Sequence, residues 1–398
     1  MTDWLLRKCR TAPFLALPLL LAPWPSMGSN GVHPDKIVFG QSACLTGPNQ
    51  NLGRDYQAGI LAAFEERNAR GGVDGRSLEL MTRDDGYEPE QAVANAERFV
   101  AEDDVLAVIG GVGTPTSRRI APVLRAARIP FVGHVTGAGF LRDAEQYPNV
   151  VNLRASYQDE IRVLVKHAVS DHGKRRFGII YQDDAFGRSG LKGLKVALDE
   201  HGLPLLAKAA FSRNTHAVHA SLFSLAKADL DVILIVGTYT TNADIINLAN
   251  SLGHDYIMTN LSFVLSYELK NRIEVLSGEI LVTEVVPDVN DANSRVVQSF
   301  RRALRMAGRR TGRSELPAVN EVSLEGYILG RFVIAVLERM GGELTRERFL
   351  ERALQSGPVS IDDWTVEFQP GTNTGSNYVR LSVFGDFDPT IHERRPGP

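Results

Sequence analysis

Three hydroxyl side chains follow a glycine-rich turn in the first third of the chain. Glycines at 110, 111 and 113 come directly after an apolar run, and Thr114, Thr116 and Ser117 open a helical pattern that continues to residue 127. We expect Thr114 to be the N-cap of this helix, because Thr is preferred there and Pro115 suits the first helical turn. Hydroxyls and free backbone N–H groups at a helix start favour an anionic ligand. An ordinary strand-to-helix turn is the alternative interpretation.

Paired carboxylates and one histidine pair are the other candidates for chemistry. Asp84-Asp85 and Asp183-Asp184 each follow a predicted strand, where two carboxylates can share a proton, but Asp at such a place more often caps a helix or shapes a turn. His216 and His219 have i,i+3 spacing without a nearby cysteine or carboxylate, which favours a solvated helix face over a metal site. The chain contains no G-x-S-x-G elbow, Walker loop or H-E-x-x-H motif. We therefore predict a binding protein without cofactor or metal rather than an enzyme.

The elements that would position these groups alternate between strand and helix. This rhythm is typical of parallel sheets covered by helices on both faces. Strands are predicted at 37–45, 77–82, 105–109, 129–133, 177–182, 204–211, 231–236, 256–258, 278–282, 364–368 and 378–384. Helices are predicted up to residue 69 and at 89–102, 117–127, 189–201, 216–228, 243–252, 292–308, 319–341 and 345–355.

Length and an internal similarity predict two lobes. A chain of 398 residues exceeds the ~250–300 residues that one hydrophobic core usually serves. Segments 104–114 and 229–238 are similar, because in each an apolar strand ends in glycine and threonine before a helix. Two such lobes would place both strand ends at one cleft, where open parallel sheets bind ligands. We predict lobe 1 from 35–152 plus 285–357 and lobe 2 from 153–284 plus 358–392.

Composition and the first residues indicate an exported protein. The chain has 43% hydrophobic and 23% charged residues and a net charge of −3, so no strong attraction to nucleic acid is expected. Arg7, Lys8 and Arg10 precede an apolar core at 12–24, and small residues follow, which is the pattern of a cleaved signal peptide. We predict a signal peptide at 1–28. Its removal would leave Cys44 as the only cysteine and hence no internal disulfide.

Short motifs spread over 45–327 carry a family resemblance. Matching pieces are Leu45-Thr-Gly-Pro48 with Gly53, 68–75, Asp84-Asp85 with Pro89, 109–114, Ile129-Pro130, Thr136, Arg154, 181–187 and Glu325-Gly-Tyr327. Through them the chain resembles the type I periplasmic solute-binding proteins, in particular the branched-chain amino-acid (Leu/Ile/Val) receptor branch. The resemblance implies two doubly wound α/β lobes joined by a three-crossing hinge that closes on a ligand. It also implies a monomer in the periplasm that works with an inner-membrane transporter.

The resemblance further implies a ligand site. The ligand carboxylate would lie against residues 114–117 and Thr136, and Tyr239 would line the pocket. The family's acid for the ligand amine falls within 258–263, where this chain has none, and a buried ammonium without a carboxylate costs several kcal/mol. An acid with an apolar or aromatic body is therefore favoured. The predicted ligand-binding residues are Leu52, Tyr87, Thr114, Thr116, Ser117, Thr136, Tyr157, Phe186, Tyr239, Leu261 and Phe263.

Several functions remain open at this point. The leading hypothesis is a periplasmic protein that hands a small organic ligand to a membrane permease. A bulky hydrophobic ligand such as a lipid or sterol, or a branched-chain amino acid, is an alternative cargo. A sensor subunit for a membrane kinase or chemoreceptor is the alternative partner, and an enzyme is the least favoured class.

Overall fold

A computed structural model describes residues 30–102, 104–274, 278–311, 318–355 and 357–384. The predicted signal peptide lies outside the described residues, as does the predicted end of lobe 2 at 385–392. Cys44 is a buried free thiol. Within the described ranges, no helix combines the length and the apolar character that crossing a membrane requires.

Five parallel strands form the sheet of the first lobe, in the order β2-β1-β3-β4-β5. Its core strands carry buried β-branched and aromatic side chains, as predicted for a sheet covered on both faces. The predicted strand at 105–109 is regular only over its last two residues. The strands are β1 Lys36–Ala43, β2 Ser77–Asp84, β3 Val108–Ile109, β4 Phe131–Val132 and β5 Val150–Val151.

The helix that follows β3 begins differently from the prediction. Gly113 precedes it with φ +105°, a conformation that favours glycine, and Thr114 is the first helical residue rather than the N-cap. No side chain caps this helix; the Thr114 hydroxyl is instead paired with other side chains of the cleft. The first helices are α1 Gln50–Asn68, α2 Pro89–Ala101 and α3 Thr114–Ala126.

The second lobe is built on strands that are mostly parallel. The strands are β6 Phe177–Gln182, β7 Leu205–Phe211, β8 Val232–Val236, β9 Ile257–Asn260 and β10 Ile280–Glu284. Its helices are α4 Tyr157–Lys166, α5 Ala185–Asp199, α6 His219–Leu225, α7 Tyr239–Ser251 and α8 Ser266–Arg272. Helix α4 begins with a capping box, in which Ser156 and Asp159 each accept from the other's backbone N–H. A single π-helical turn, His167–Asp171, extends α4.

The chain then returns to the first lobe as three helices, α9 Arg295–Thr311, α10 Glu321–Met340 and α11 Arg346–Gln355. Helix α10 packs on α1 with the two backbones in close approach. A Cβ atom at Gly59 would lie 2.0 Å from the Ser323 carbonyl oxygen, and one at Gly326 would lie 2.2 Å from that of Tyr56. Glycine is therefore required sterically at this helix crossing.

The last strands connect to both lobes. The hairpin β11 Val359–Ile361 and β12 Trp364–Val366 packs on α10, and Asn152 bridges to Thr374. Only β13, Arg380–Phe384, joins the six-stranded sheet β13-β10-β9-β8-β6-β7, as its antiparallel edge. The predicted fold class of two doubly wound sheets is confirmed. We propose the predicted division into lobes with one change. Because β11 and β12 pack on the first lobe, the third crossing is placed at 376–379 rather than at residue 357.

Candidate ligand-binding site

Hydroxyl groups from three elements meet at the cleft between the lobes. The Oγ1 of Thr114, at the start of α3, lies 2.7 Å from the Oγ1 of Thr136 and 3.2 Å from the phenolic oxygen of Tyr157, at the start of α4. All three side chains are buried, and burial raises the pKa of Tyr157. The three predicted residues thus form one connected group, called here the hydroxyl cluster.

The other two predicted hydroxyls of α3 have different surroundings. Thr116 donates to the carbonyl oxygens of Val112 and Gly113, at 2.6 and 3.0 Å, so its proton is committed to the backbone turn. Ser117 is buried, and its Oγ has no hydrogen-bond partner among the residues that the structure describes. A buried polar atom without a partner costs about 1–3 kcal/mol, so a further hydrogen bond to the Ser117 Oγ would be stabilising.

Four aromatic rings continue from the hydroxyl cluster across the cleft. The Tyr157 ring lies 5.3 Å from Phe186, Phe186 lies 4.9 Å from Phe263, and Phe263 lies 5.9 Å from Tyr87. These separations are typical of favourable aromatic pairs. Burial raises the pKa of Tyr87 well above its usual range, so its phenol stays neutral. This set, called here the aromatic row, includes four of the predicted residues.

The remaining predicted residues lie beside the row. Leu52 and Leu261 are fully buried in the main hydrophobic core. Tyr239 begins α7, and its phenolic oxygen accepts a hydrogen bond from the Asn51 N–H of α1 at 3.4 Å. The Arg272 guanidinium lies over its ring at 4.8 Å, and burial raises the pKa of Tyr239 to about 12. Tyr239 therefore contacts the opposite lobe.

A polar bridge that the sequence did not reveal closes one side of the cleft. Arg213 pairs with Glu88 of the first lobe at 2.6 Å and with Asp184 of its own lobe at 3.4 Å. Asn214 donates to Glu88 at 2.8 Å and accepts from Asn49 at 2.8 Å. Apart from Asp184, these residues belong to no motif, and the pairs between the lobes are more than a hundred positions apart, so no sequence signal could have found them.

The Asp pairs shape turns, as the sequence favoured. Asp184 accepts from the Phe186 and Gly187 N–H groups at the start of α5. Asp85 accepts from the Ser42 hydroxyl at 2.6 Å and from the Tyr87 N–H at 2.9 Å, and burial raises its pKa to about 7.

The histidine pair lies elsewhere and does have a carboxylate partner. The Nδ1 of His216 lies 2.7 Å from Asp244, a residue 28 positions further along the chain. The expectation that no carboxylate lies near this histidine pair was therefore wrong, because the fold brings Asp244 of α7 next to His216.

A groove of about 680 Å³ opens beside Tyr157, between the two lobes. This volume is within the range of small-molecule sites. Four cationic side chains and one carboxylate line it, so an anion is favoured there. The charged residues are Arg118, Arg142, Asp143, Arg188 and Lys192.

A buried arginine lies beneath the hydroxyl cluster. Arg154, 3% exposed, lies 3.6 Å from Glu325 of α10 and 4.0 Å from Glu160 of α4, and it donates to the Ser262 hydroxyl. Burial opposes its charge, but the two carboxylates outweigh this and raise the pKa of Arg154. The arginine thus connects both lobes at the first crossing.

Comparisons with known proteins agree with this architecture. A family model described as "Periplasmic binding protein" matches residues 36–381. A Leu/Ile/Val-binding protein homolog 7 from Brucella abortus (strain 2308) is 24% identical over 226 residues, which cover 55% of this chain and 56% of that relative. The alignment thus spans little more than half the length of this curated relative.

Solved structures extend the likeness to nearly the whole chain. A possible leucine/isoleucine/valine-binding protein from Rhodopirellula baltica SH 1 superposes with a TM-score of 0.81 at 30% identity, covering 90% of this chain and 95% of that one. A fatty acid ABC transporter substrate-binding protein from Thermomonospora curvata superposes with a TM-score of 0.78 at 20% identity, covering 88% and 89%. This chain belongs to the periplasmic binding protein family.

Proposed function

We propose that this protein captures a small organic acid with an apolar or aromatic body in the cleft and delivers it to the permease of an ABC transporter in the inner membrane. One observation carries the proposal: the hydroxyl cluster adjoins the aromatic row, and Tyr157, which belongs to both, lines a groove with an excess of cations. The carboxylate of the ligand would accept hydrogen bonds from the hydroxyl cluster, and its apolar part would pack against the aromatic row.

The acid group has suitable donors at the cleft. Thr114, Thr136 and Tyr157 supply hydroxyls, Ser117 supplies a buried Oγ without a partner in the described chain, and α3 presents its N-terminus. A helix start favours negative charge by about 0.3–1 kcal/mol. The cations of the groove add a long-range attraction for an anion as it approaches.

The side of the cleft proposed to contact the apolar part of the ligand is unfavourable for an α-amino group. Leu261 and Phe263, in the segment where the family's acid is expected, are buried and apolar. An ammonium against this side of the cleft would lose its hydration without gaining a carboxylate. The groove of about 680 Å³ also accommodates a longer acid, and the T. curvata protein of similar fold is described as serving fatty acids.

A ligand panel tests the proposal. Protein freed of bound molecules by unfolding and refolding would be titrated calorimetrically with benzoate, phenylacetate, octanoate, leucine and isoleucine. We expect at least one of the acids without an amine to bind, and the two amino acids not to bind. Tight leucine or isoleucine binding with no response to any of the other acids would contradict the proposal.

Matched lysines on one helix test the electrostatic part. Lys192 lines the groove, whereas Lys195 of the same helix is exposed and is not among the lining residues. Lys192→Gln should weaken binding of the acid, more at low than at high salt, because exposed charges are screened by ions. Lys195→Gln should bind like the wild type; equal losses for both variants would point to net charge rather than to the groove.

A further inference from the structure

A second polar cluster lies at the opposite end of the second lobe. The Nε2 atoms of His167 and His172 face each other at 3.1 Å. Each lies 3.6 Å from a different carboxylate oxygen of Glu279. The three side chains are partly buried, with 15–25% of each exposed, so solvent reaches the cluster.

The fold brings these residues together from two elements. His167 begins the single π-helical turn that extends α4, and such turns are frequent at functional sites. Glu279 comes directly before β10. The strands β8, β9 and β10 are parallel, and the cleft lies at their carboxyl ends. The cluster therefore lies at the amino-terminal ends of these strands, on the side away from the cleft.

We propose that His167, His172 and Glu279 form a binding site for a divalent zinc-class metal ion. Imidazole nitrogen and carboxylate oxygen are ligands that Zn²⁺ accepts, and a tetrahedral ion holds such donors roughly 3.3–3.5 Å apart. The observed separations of 3.1 and 3.6 Å lie on either side of this value. Three protein ligands leave a fourth position for water.

Asp171 orients the first ligand. Its Oδ2 accepts from the Nδ1 of His167 at 2.8 Å. The neutral ring then carries its lone pair on Nε2, the atom that faces His172 and Glu279. A carboxylate behind a metal-binding histidine is the usual arrangement that fixes the tautomer and strengthens the ligand.

The charges around the cluster attract a cation. Carboxylate oxygens of Glu279 and Asp171 lie 3.6 and 2.8 Å from the two ring nitrogens of His167. The positive charge of Lys174 also acts on Glu279, and it opposes the attraction of a cation to the cluster. A second proton on His167 is the competing occupant, which a metal titration distinguishes.

Zinc binding would be measured on untagged protein after treatment with a chelator, against a competing chromophoric chelator at neutral pH. We expect one Zn²⁺ per chain and a higher temperature of unfolding with zinc than without. His172→Gln and Glu279→Gln should each lower the affinity at least about 100-fold. Asp171→Asn, which removes only the orienting carboxylate, should lower it about 10–100-fold.

The exposed His216 next to Asp244 supplies the matched control. His216→Gln should bind zinc like the wild type, which separates the cluster from surface histidines. Circular dichroism without metal checks that each variant is folded. If His172→Gln does not fold, the affinity of Glu279→Gln decides the test. No stoichiometric binding by the wild type, or unchanged affinity in both ligand variants, would show that the cluster holds only a proton. Because the site is remote from the cleft, its loss should leave binding of the organic ligand unchanged.

Discussion

Replacing Arg154 by Met should remove a large part of the stability of this protein. The guanidinium is 3% exposed and lies between Glu160, which is fully buried, and Glu325, which is 10% exposed. Met has a similar length but no charge, so both carboxylates would lose their cation without gaining water. Breaking a buried ion pair by removing one partner typically costs about 3–5 kcal/mol.

Glu325 gives the loss a pH signature. In the wild type, burial already raises the pKa of Glu325, and Arg154 partly offsets this. Without Arg154 the folded-state pKa of Glu325 rises further above its unfolded value. An acid with a raised folded pKa contributes stability at low pH that is lost as the pH rises through the folded pKa. The cost of Arg154→Met should therefore be larger at pH 8 than at pH 5.

Urea unfolding followed by far-UV circular dichroism measures this cost, with the slope m compared between variants. Arg162→Met is the matched control, since Arg162 is 48% exposed, belongs to the same helix as Glu160 and pairs with exposed Glu200 at 2.7 Å. It should lose only a small part of what Arg154→Met loses. Adding Glu160→Gln and Glu325→Gln to Arg154→Met should restore part of the stability. A cost below about 1 kcal/mol for Arg154→Met, or one equal to that of the control, would refute the reasoning.

Three further predictions follow from single contacts. Gly59→Ala should destabilise the protein by about 1–3 kcal/mol in urea unfolding, because the new Cβ would lie 2.0 Å from a backbone oxygen of α10, whereas Gly139→Ala, with no atom within 4 Å, should not. Burial raises the pKa of Asp85 in the folded protein to about 7, so the stability of the wild type should fall by up to about 1.4 kcal/mol per pH unit between about pH 4 and pH 7. Asp85→Asn should remove this decline, and an unchanged pH profile of unfolding would contradict the prediction. Arg213→Met should widen the ligand-free cleft, seen as a larger radius of gyration in X-ray scattering, because it removes the ion pair between the lobes; identical scattering would show that other contacts hold the cleft.

The hinge and the cleft share one segment of the chain. Arg154, in the first crossing, contacts both lobes, and Tyr157, three residues later, belongs to the hydroxyl cluster and to the aromatic row. A ligand that displaces the Tyr157 hydroxyl from Thr114 therefore acts directly on the helix that begins at the crossing.

The sequence by itself determined the architecture. Alternation of apolar strands with helical patterns is a local signal, and it predicted the two doubly wound sheets, although it missed the strands β5 and β11 and the helices α4 and α8. The turn at 110–113 followed by hydroxyls was equally local, and Thr114, Ser117 and Thr136 are buried. That they bind the ligand stays a prediction. The Thr114 cap was wrong because Gly113, with its positive φ, takes that position.

Only the tertiary structure decided which side chains meet. The Thr116 hydroxyl donates to the backbone although Thr114 of the same helix contacts other side chains, and Arg213 pairs with Glu88 from the opposite lobe. His167, His172 and Glu279 form a cluster although 107 residues separate the last two. Such contacts depend on the packing of helices and the closing of lobes, whose geometry is set by the whole core. A pattern of residue types over short spans carries no information about that geometry, so these contacts became visible only in the tertiary structure.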